Sequence, residues 1–476
     1  MITHIGELLR WSTILVVGFC YEAIYYYLPA FIVILFLLFL LALYLRRWAA
    51  VLGYLIVTAG IVVGAYRIDE FPIRVHPDEM HIPRTLMEPM REWFTSHAAM
   101  PGILALKDPA KTPYTSSLFR TRARHGARPS VSTPIVSHVY YIATKLFGAD
   151  FPGCRMSSVI IGALDCLLFY LLLKKICGVT IAFTAAMVMT LDPWHLGLSR
   201  IHLPYIATNL YATGCLLVLW LAMSRPWLFI PLGVMIVFSM PMYSSIKAIY
   251  CFVPAFLIYA VVFGKWERKK LAVGIIVLLA TVYPLLTVQG DDVKQLYVYG
   301  IEYGQPGAVY VWKTDGMVKT INTIFNFGWQ RFVTHRGTNY IEVGCKFAPW
   351  LPVMCLAGMA LCVIRIRDRR SVFLLLWLVA AVSPYALSHI NPPDRRLTLV
   401  IAPVVALACY PLTLVPMGAA RNIAAAVLIA LSVWGMHVGY FRSYDRQVAE
   451  GRAMAEMYRV KMNIINTEGP GKVPAK

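Results

Sequence analysis

Charge is what this sequence has least of. Asp, Glu, Lys and Arg together make up 14% of its 476 residues, and only 24 of those are carboxylates. Soluble domains carry about 25% charged and about 45–50% apolar residues, whereas 59% of this chain is hydrophobic and its mean hydropathy is +0.64. No stretch reads as a soluble domain, and no internal repeat is visible. The ten cysteines contain no CxxC pair, and most lie inside apolar runs (Cys166, Cys215, Cys355, Cys409), which argues against metal or redox use. Cys154 and Cys345 lie near one predicted face, which leaves a pairing between them open. No cleavable signal is expected, because a second, longer apolar run follows the first at once. No eukaryotic sorting signal is evident either, so a bacterial inner membrane is the expected location.

The apolar runs themselves specify an all-α polytopic membrane protein. At about 20 residues per crossing they give about 13 transmembrane helices. Two extra helices occupy residues 1–48, near Trp11–Tyr21 and Tyr27–Leu45. A core spans residues 49–414, and a last helix with a polar tail fills residues 415–476. Core spans are expected at Ala49–Tyr66, at a fourth span ending in Lys174-Lys175, and at Val179–Leu191, Pro204–Met223, Trp227–Met240 and Ile249–Phe263. Further ones follow at Leu271–Thr287, Trp350–Ile364, Val372–Leu387 and Leu397–Leu414, with the last helix at Asn422–Tyr440. The net charge of +20 is concentrated in turns such as Arg46-Arg47, Lys265–Lys270 and Arg365–Arg370, which marks those turns as cytoplasmic. Two long loops, residues 67–154 and 289–349, then fall outside, while the side of the tail stays open. The basic excess suits membrane lipids and phosphates; no nucleic-acid partner is expected.

Within the first loop lies a dense ionisable cluster, Arg74-Val75-His76-Pro77-Asp78-Glu79-Met80-His81. A solvated loop that stops a helix is the plain explanation. Ionisable clusters at a membrane are, however, functional by default, and Asp78 is placed to take a proton from an acceptor hydroxyl. Glu79 diverges from it by about 100° on a helix and would organise the cavity with Arg74 or His81. The same carboxylates with His76 and His81 could instead hold a metal, but that ligand set is too mixed to name one, and no metal or other cofactor is expected. Farther along the loop, Ile82, Leu86, Met90, Trp93 and Phe94 recur at helical spacing, as do Ile135, Val139, Tyr140 and Leu146 after Pro134. Two interfacial helices walling a cavity are expected there.

Other cations stand where the charge rule disfavours them. Arg395 and Arg396 sit at the outer end of a span, where a fork of guanidinium groups suits a phosphate and a snorkelling anchor is the plain alternative. Arg200 is a weaker candidate of the same kind. His335 and Arg336, in the second loop, would cap the cavity or merely face water. Asp165 lies within the fourth span, where a carboxylate costs roughly 2.5–3.5 kcal/mol on insertion scales; it must pair with a buried base or stay protonated.

Taken in order, these features resemble the C-type glycosyltransferases, nearest the branch of protein O-mannosyltransferases and lipid A aminoarabinose transferases. The likeness rests on Asp78-Glu79 after an early span, Pro134 leading to Lys145-Leu146-Phe147-Gly148, Leu191-Asp192-Pro193 then Ser199-Arg200, Phe325-Asn326-Phe327 then His335-Arg336, and Pro392-Pro393-Asp394-Arg395-Arg396 ahead of Pro403. It implies an integral-membrane inverting enzyme that moves a hexose or pentose from a polyprenyl-phosphate donor to a hydroxyl on a glycan, lipid or protein acceptor at the periplasmic face. Asp78 would be the base, and arginines or lysines would hold the donor phosphate. The family often has Lys-Pro-Pro-Leu where this chain has Ser132-Thr133-Pro134-Ile135, which passes that cation's role to Arg128 beside Arg200, Arg395 and Arg396. Many members carry a second acid where this chain has Tyr205. A transporter or lipid flippase coupling ions through Asp78, Glu79 and Asp165 is the rival, but transporters usually show internal repeats and mid-membrane breaks.

Overall fold

A computed structural model of the chain describes residues 33–68, 151–201, 205–239, 244–264, 266–302, 347–386 and 394–442, with a few isolated positions besides; residues 151, 238, 244, 247, 288–302, 384–386 and 394–396 are described as backbone only. Every regular element among the described residues is helical. Chains crossing lipid must satisfy their backbone polar groups within each segment, and helices do so. Among the described residues, six helical segments are long and apolar enough to cross a membrane, and five shorter apolar helices accompany them. This is a multi-pass membrane protein.

The helices run back and forth between two ends of one bundle. α1 (Val33–Tyr44) leads through Arg46-Arg47 into α2 (Trp48–Ala65). α3 (Phe151–Cys177) and α4 (Val179–Leu191) follow as an antiparallel pair hinged at Gly178, whose φ of 90° is left-handed and open to glycine. A short α5 (Pro193–Ser199) caps the far end. Then come α6 (Tyr205–Ala222), α7 (Phe229–Phe238), α8 (Lys247–Val262) and the long α9 (Arg268–Glu302). α10 (Trp350–Ile364) and α11 (Arg369–Ala386) pair across the Arg365–Arg370 turn. α12 (Ile401–Cys409), between 3-10 turns at Asp394–Val400 and Tyr410–Leu414, and α13 (Ala419–Met436) complete the bundle.

Lys174-Lys175, Arg225, Arg268–Lys270, Arg365–Arg370 and Arg421 therefore share one end, called the basic end below. Tyr66, α5, Phe347 and Phe441 share the other, the loop end, from which the residues following 68 and 302 and those following 442 depart. The tail thus leaves from the same end as the first loop. Burial sorts centre from rim: the Leu397–Leu414 segment is 83% buried and α3 and α6 67%, against 22% for α2 and 33% for the Ala419–Phe441 segment. α2 lies on the rim yet sits tightly on α3, because a Cβ on Gly64 would strike the Val159 side chain at 2.6 Å. Small residues at such contacts let helix backbones approach.

Two expectations need correction. The helix expected to end at Thr287 continues to Glu302, past Gln289 where the second loop was to begin. The fourth span begins at Phe151, ahead of Cys154. The Leu397–Leu414 span stands at its expected bounds, built as a nine-residue α-helix between 3-10 turns; 3-10 turns rise about 2.0 Å per residue against 1.5 Å, so the mixture still covers distance. Cys345 lies outside the described residues.

Candidate active site

The motif Leu191-Asp192-Pro193…Ser199-Arg200 folds into a short capped turn. Asp192 is the N-cap of α5, its Oδ2 accepting from the amides of Trp194 (3.0 Å) and His195 (3.1 Å), and Pro193 takes the first helical position, where the lack of an N–H costs nothing. Burial pushes the Asp192 carboxyl up to about 7, against the downward pull of those amides. Ser199 Oγ donates back to the His195 carbonyl at 2.8 Å. The turn packs on α3 at Gly162, where a Cβ would run into the Ser199 side chain. Its last product is the direction of Arg200.

Arg200 is fully buried and reaches the end of α2. Its Nη1 donates to the carbonyls of Tyr66 (2.7 Å) and Val63 (3.4 Å), and its Nη2 to that of Arg67 (2.9 Å). Arg67 has a φ of 52°, a left-handed end to the helix that costs a non-glycine residue roughly 1–2 kcal/mol. That conformation accompanies a carbonyl turned to the guanidinium. The rings of Tyr440 and Phe441 lie 5.5 and 5.6 Å from Arg200 Cζ, and Phe441 meets Tyr66 edge-on at 5.3 Å. One buried cation thus ties α5, the end of α2 and the end of the last helix together.

Beneath this clamp lies a second polar group. Asp165 pairs with a buried base: its Oδ2 is 3.4 Å from His195 Nε2, and its Oδ1 accepts from Thr213 Oγ1 at 2.9 Å. Cys166 Sγ is 3.8 Å from the same ring nitrogen. Burial works downward on His195, but the neighbouring Cys166 sulfur and Asp165 carboxyl outweigh it and lift the value to about 10. The pair fastens α3 and α6 to α5. His195 and Thr213 were missed in the sequence; Asp165 in an apolar helix was the available signal for them.

Of the other candidate residues, Arg395 and Arg396 lie on the 3-10 turn that opens the return from α11 toward the basic end. Asn209 Nδ2 of α6 donates to the Thr398 carbonyl of that turn at 3.2 Å, so the turn is seated against α6 near the loop end. Asp78, Glu79, Arg74, His76, His81, Arg128, His335 and Arg336 lie outside the described residues, as do both expected interfacial helices apart from Phe147.

Residues 129–288 match the family model described as dolichyl-phosphate-mannose-protein mannosyltransferase. The chain is similar to the C-type glycosyltransferases. The match takes in about a third of the sequence, from the segment before α3 into α9, and so contains α5, Arg200 and the Asp165–His195 pair. No curated protein matches the chain. Among solved structures, the archaeal oligosaccharyltransferase AglB from Archaeoglobus fulgidus, in complex with an inhibitory peptide and a dolichol-phosphate, is similar at 15% identity and a TM-score of 0.42, over 65% of this chain and 47% of that one. The Archaeoglobus fulgidus oligosaccharyltransferase in its apo form is similar at 16% identity and a TM-score of 0.43, over the same shares. This C-type-like chain therefore spans less than half the length of those it resembles.

Proposed function

We propose that this protein is an inverting glycosyltransferase that takes a sugar from a polyprenyl-phosphate donor and places it on an acceptor hydroxyl, at the loop end of the bundle and on the outer or periplasmic side of the membrane. The observation that carries the proposal is the clamp by Arg200. It joins the Ser199-Arg200 motif to the end of the helix that leads, ten residues beyond Ile68, to Asp78. The Ser199-Arg200 motif is thus held by hydrogen bonds to the end of the helix that precedes Asp78-Glu79 in the sequence.

In the proposed reaction the Asp78 carboxylate takes the acceptor's hydroxyl proton as its oxygen attacks the anomeric carbon. The bond from that carbon to the phosphate oxygen breaks on the opposite face. Polyprenyl phosphate leaves with one more negative charge, and the sugar's configuration is inverted. Glu79 supports Asp78, with Arg74, His76 and His81 around them and His335-Arg336 over the cavity. Arg395, Arg396 and Arg128 neutralise the leaving phosphate. Arg200, which donates to the carbonyls of Val63, Tyr66 and Arg67, is assigned to holding the end of α2. An ion-coupled transporter would need Asp165 as a working carboxylate, but its oxygens face Thr213 and His195 within the core.

Alanine at Arg395 and Arg396 should lower donor affinity and slow transfer, roughly 10- to 100-fold for each charge-assisted contact removed. Lysine should rescue only in part, because the planar fork is lost. Donor binding and turnover of the four variants provide the measurement. Cysteine labelling that places residues 67–154 and 387–393 on opposite faces of the membrane would end the model. Transfer should also survive EDTA, because arginines rather than a divalent ion meet the leaving charge. Activity lost on chelation and restored by Mg²⁺ or Mn²⁺ would turn Asp78, Glu79, His76 and His81 into metal ligands.

A further inference from the structure

The basic end holds a cavity that plays no part in the proposed transfer. A half-open cavity of about 260 Å³ lies where α3 ends, α4 begins, the 365–370 turn passes and the chain crosses from Tyr410 to Arg421. Ile176 and Ile181 form its apolar side, and Arg365, Arg370 and Arg421 converge on it from two separate segments, with Asp368 between them. A basic turn on the charged face of a membrane protein ordinarily spreads its cations toward lipid and water. Here two of the three are fixed: Arg365 Nη1 donates to Thr413 Oγ1 at 3.3 Å, and Arg421 donates through Nε (3.0 Å) and Nη2 (2.6 Å) to the Val415 carbonyl. Arg370 is exposed at the mouth. Asp368 does not cancel them. Among the described residues it makes no ion pair, and its Oδ1 accepts instead from the Arg370 backbone amide at 3.1 Å.

We infer that this cavity binds a phosphate-type oxyanion at the end of the bundle opposite the donor site, a lipid head group or a free phosphate alike. Three guanidinium groups face one carboxylate, and their forks match a tetrahedral anion better than ammonium groups would. The volume lies below the roughly 300–1,000 Å³ of drug-sized pockets, which suits a head group with its tail left outside among the helices. Basic pockets between helices on the cytoplasmic side favour anionic lipid in the same way. The inference does not depend on the proposed sugar transfer.

The test uses the full chain in nanodiscs made either with phosphatidylglycerol or with phosphatidylcholine alone, read by native mass spectrometry for lipid retained after delipidation. In a second arm, inorganic phosphate is titrated against thermal unfolding in the phosphatidylcholine discs. Wild type should retain the anionic lipid in preference to the zwitterionic one. At about fivefold per arginine, R370Q should weaken retention about fivefold, and the R365A/R421A double variant more strongly. If the double variant does not fold, R370Q decides, because its side chain is exposed and supports no described contact. Arginine-dependent stabilisation by phosphate without lipid retention would support the site and assign it to a soluble anion. Retention and phosphate response both unchanged in R370Q would overturn it.

Discussion

Asp78→Asn is expected to abolish sugar transfer while expression, membrane insertion and thermal stability stay near those of wild type. The amide keeps the size of the carboxylate but cannot accept a proton from the acceptor hydroxyl, and a positioned base contributes typically 10²–10⁴-fold. A glycosyl centre also gathers positive charge as the phosphate departs, and a nearby carboxylate stabilises it, as in glycoside hydrolysis; the amide loses that contribution as well. Glu79→Gln should cost less, since its proposed role is to orient rather than to take the proton. The measurement is initial rate against a polyprenyl-phosphate sugar for both variants in the same membranes. Turnover like wild type in Asp78→Asn would remove the assignment. A larger loss in Glu79→Gln than in Asp78→Asn would exchange the two roles.

Residues that punctuate a hydrophobic run were easy to read, and residues that answer one another across the fold were not. Val179–Leu191 and Trp350–Ile364 stand in the structure at their expected bounds, because Lys174-Lys175 and Arg365 mark where lipid gives way to water. The end of α9 was misplaced for a definite reason: Gln289-Gly290-Asp291-Asp292 is too polar for lipid, but polarity alone does not end a helix, and Val293, Lys294, Gln295 and Leu296 can continue one once it is nucleated. Asp165 announced from the sequence that it needed a partner. That partner, His195, lies 30 residues on in a turn whose place against α3 is set by Gly162 and Ser199. Arg200 is the sharpest case. The sequence offered it as a phosphate ligand; in the structure it donates to carbonyls of residues 133 to 137 positions earlier. Backbone oxygens leave no mark in a sequence, so these contacts could not be read from it.

Arg200→Ala should therefore damage the protein in a way that no phosphate ligand would. The substitution leaves the carbonyls of Val63, Tyr66 and Arg67 without their charged donor inside the bundle and removes the side chain against Tyr440 and Phe441. Leaving a buried carbonyl without its donor costs about 1–3 kcal/mol, enough over these acceptors to lower the thermal midpoint and to expose the 66–68 corner to protease. The corner carries the chain to Asp78, and a misplacement of about 1 Å can cost about 10²-fold in rate. Turnover should fall by about that factor while the donor KM stays close to wild type, and excess donor should not restore it. Arg200→Lys should recover part of the stability and less of the rate, because an ammonium group is a point donor that cannot hold the carbonyls of Tyr66 and Arg67 with one planar fork. The decisive readout is the split between kcat and KM. A donor KM raised tenfold or more, with kcat and the thermal midpoint unchanged, would return Arg200 to the phosphate and dismiss the clamp.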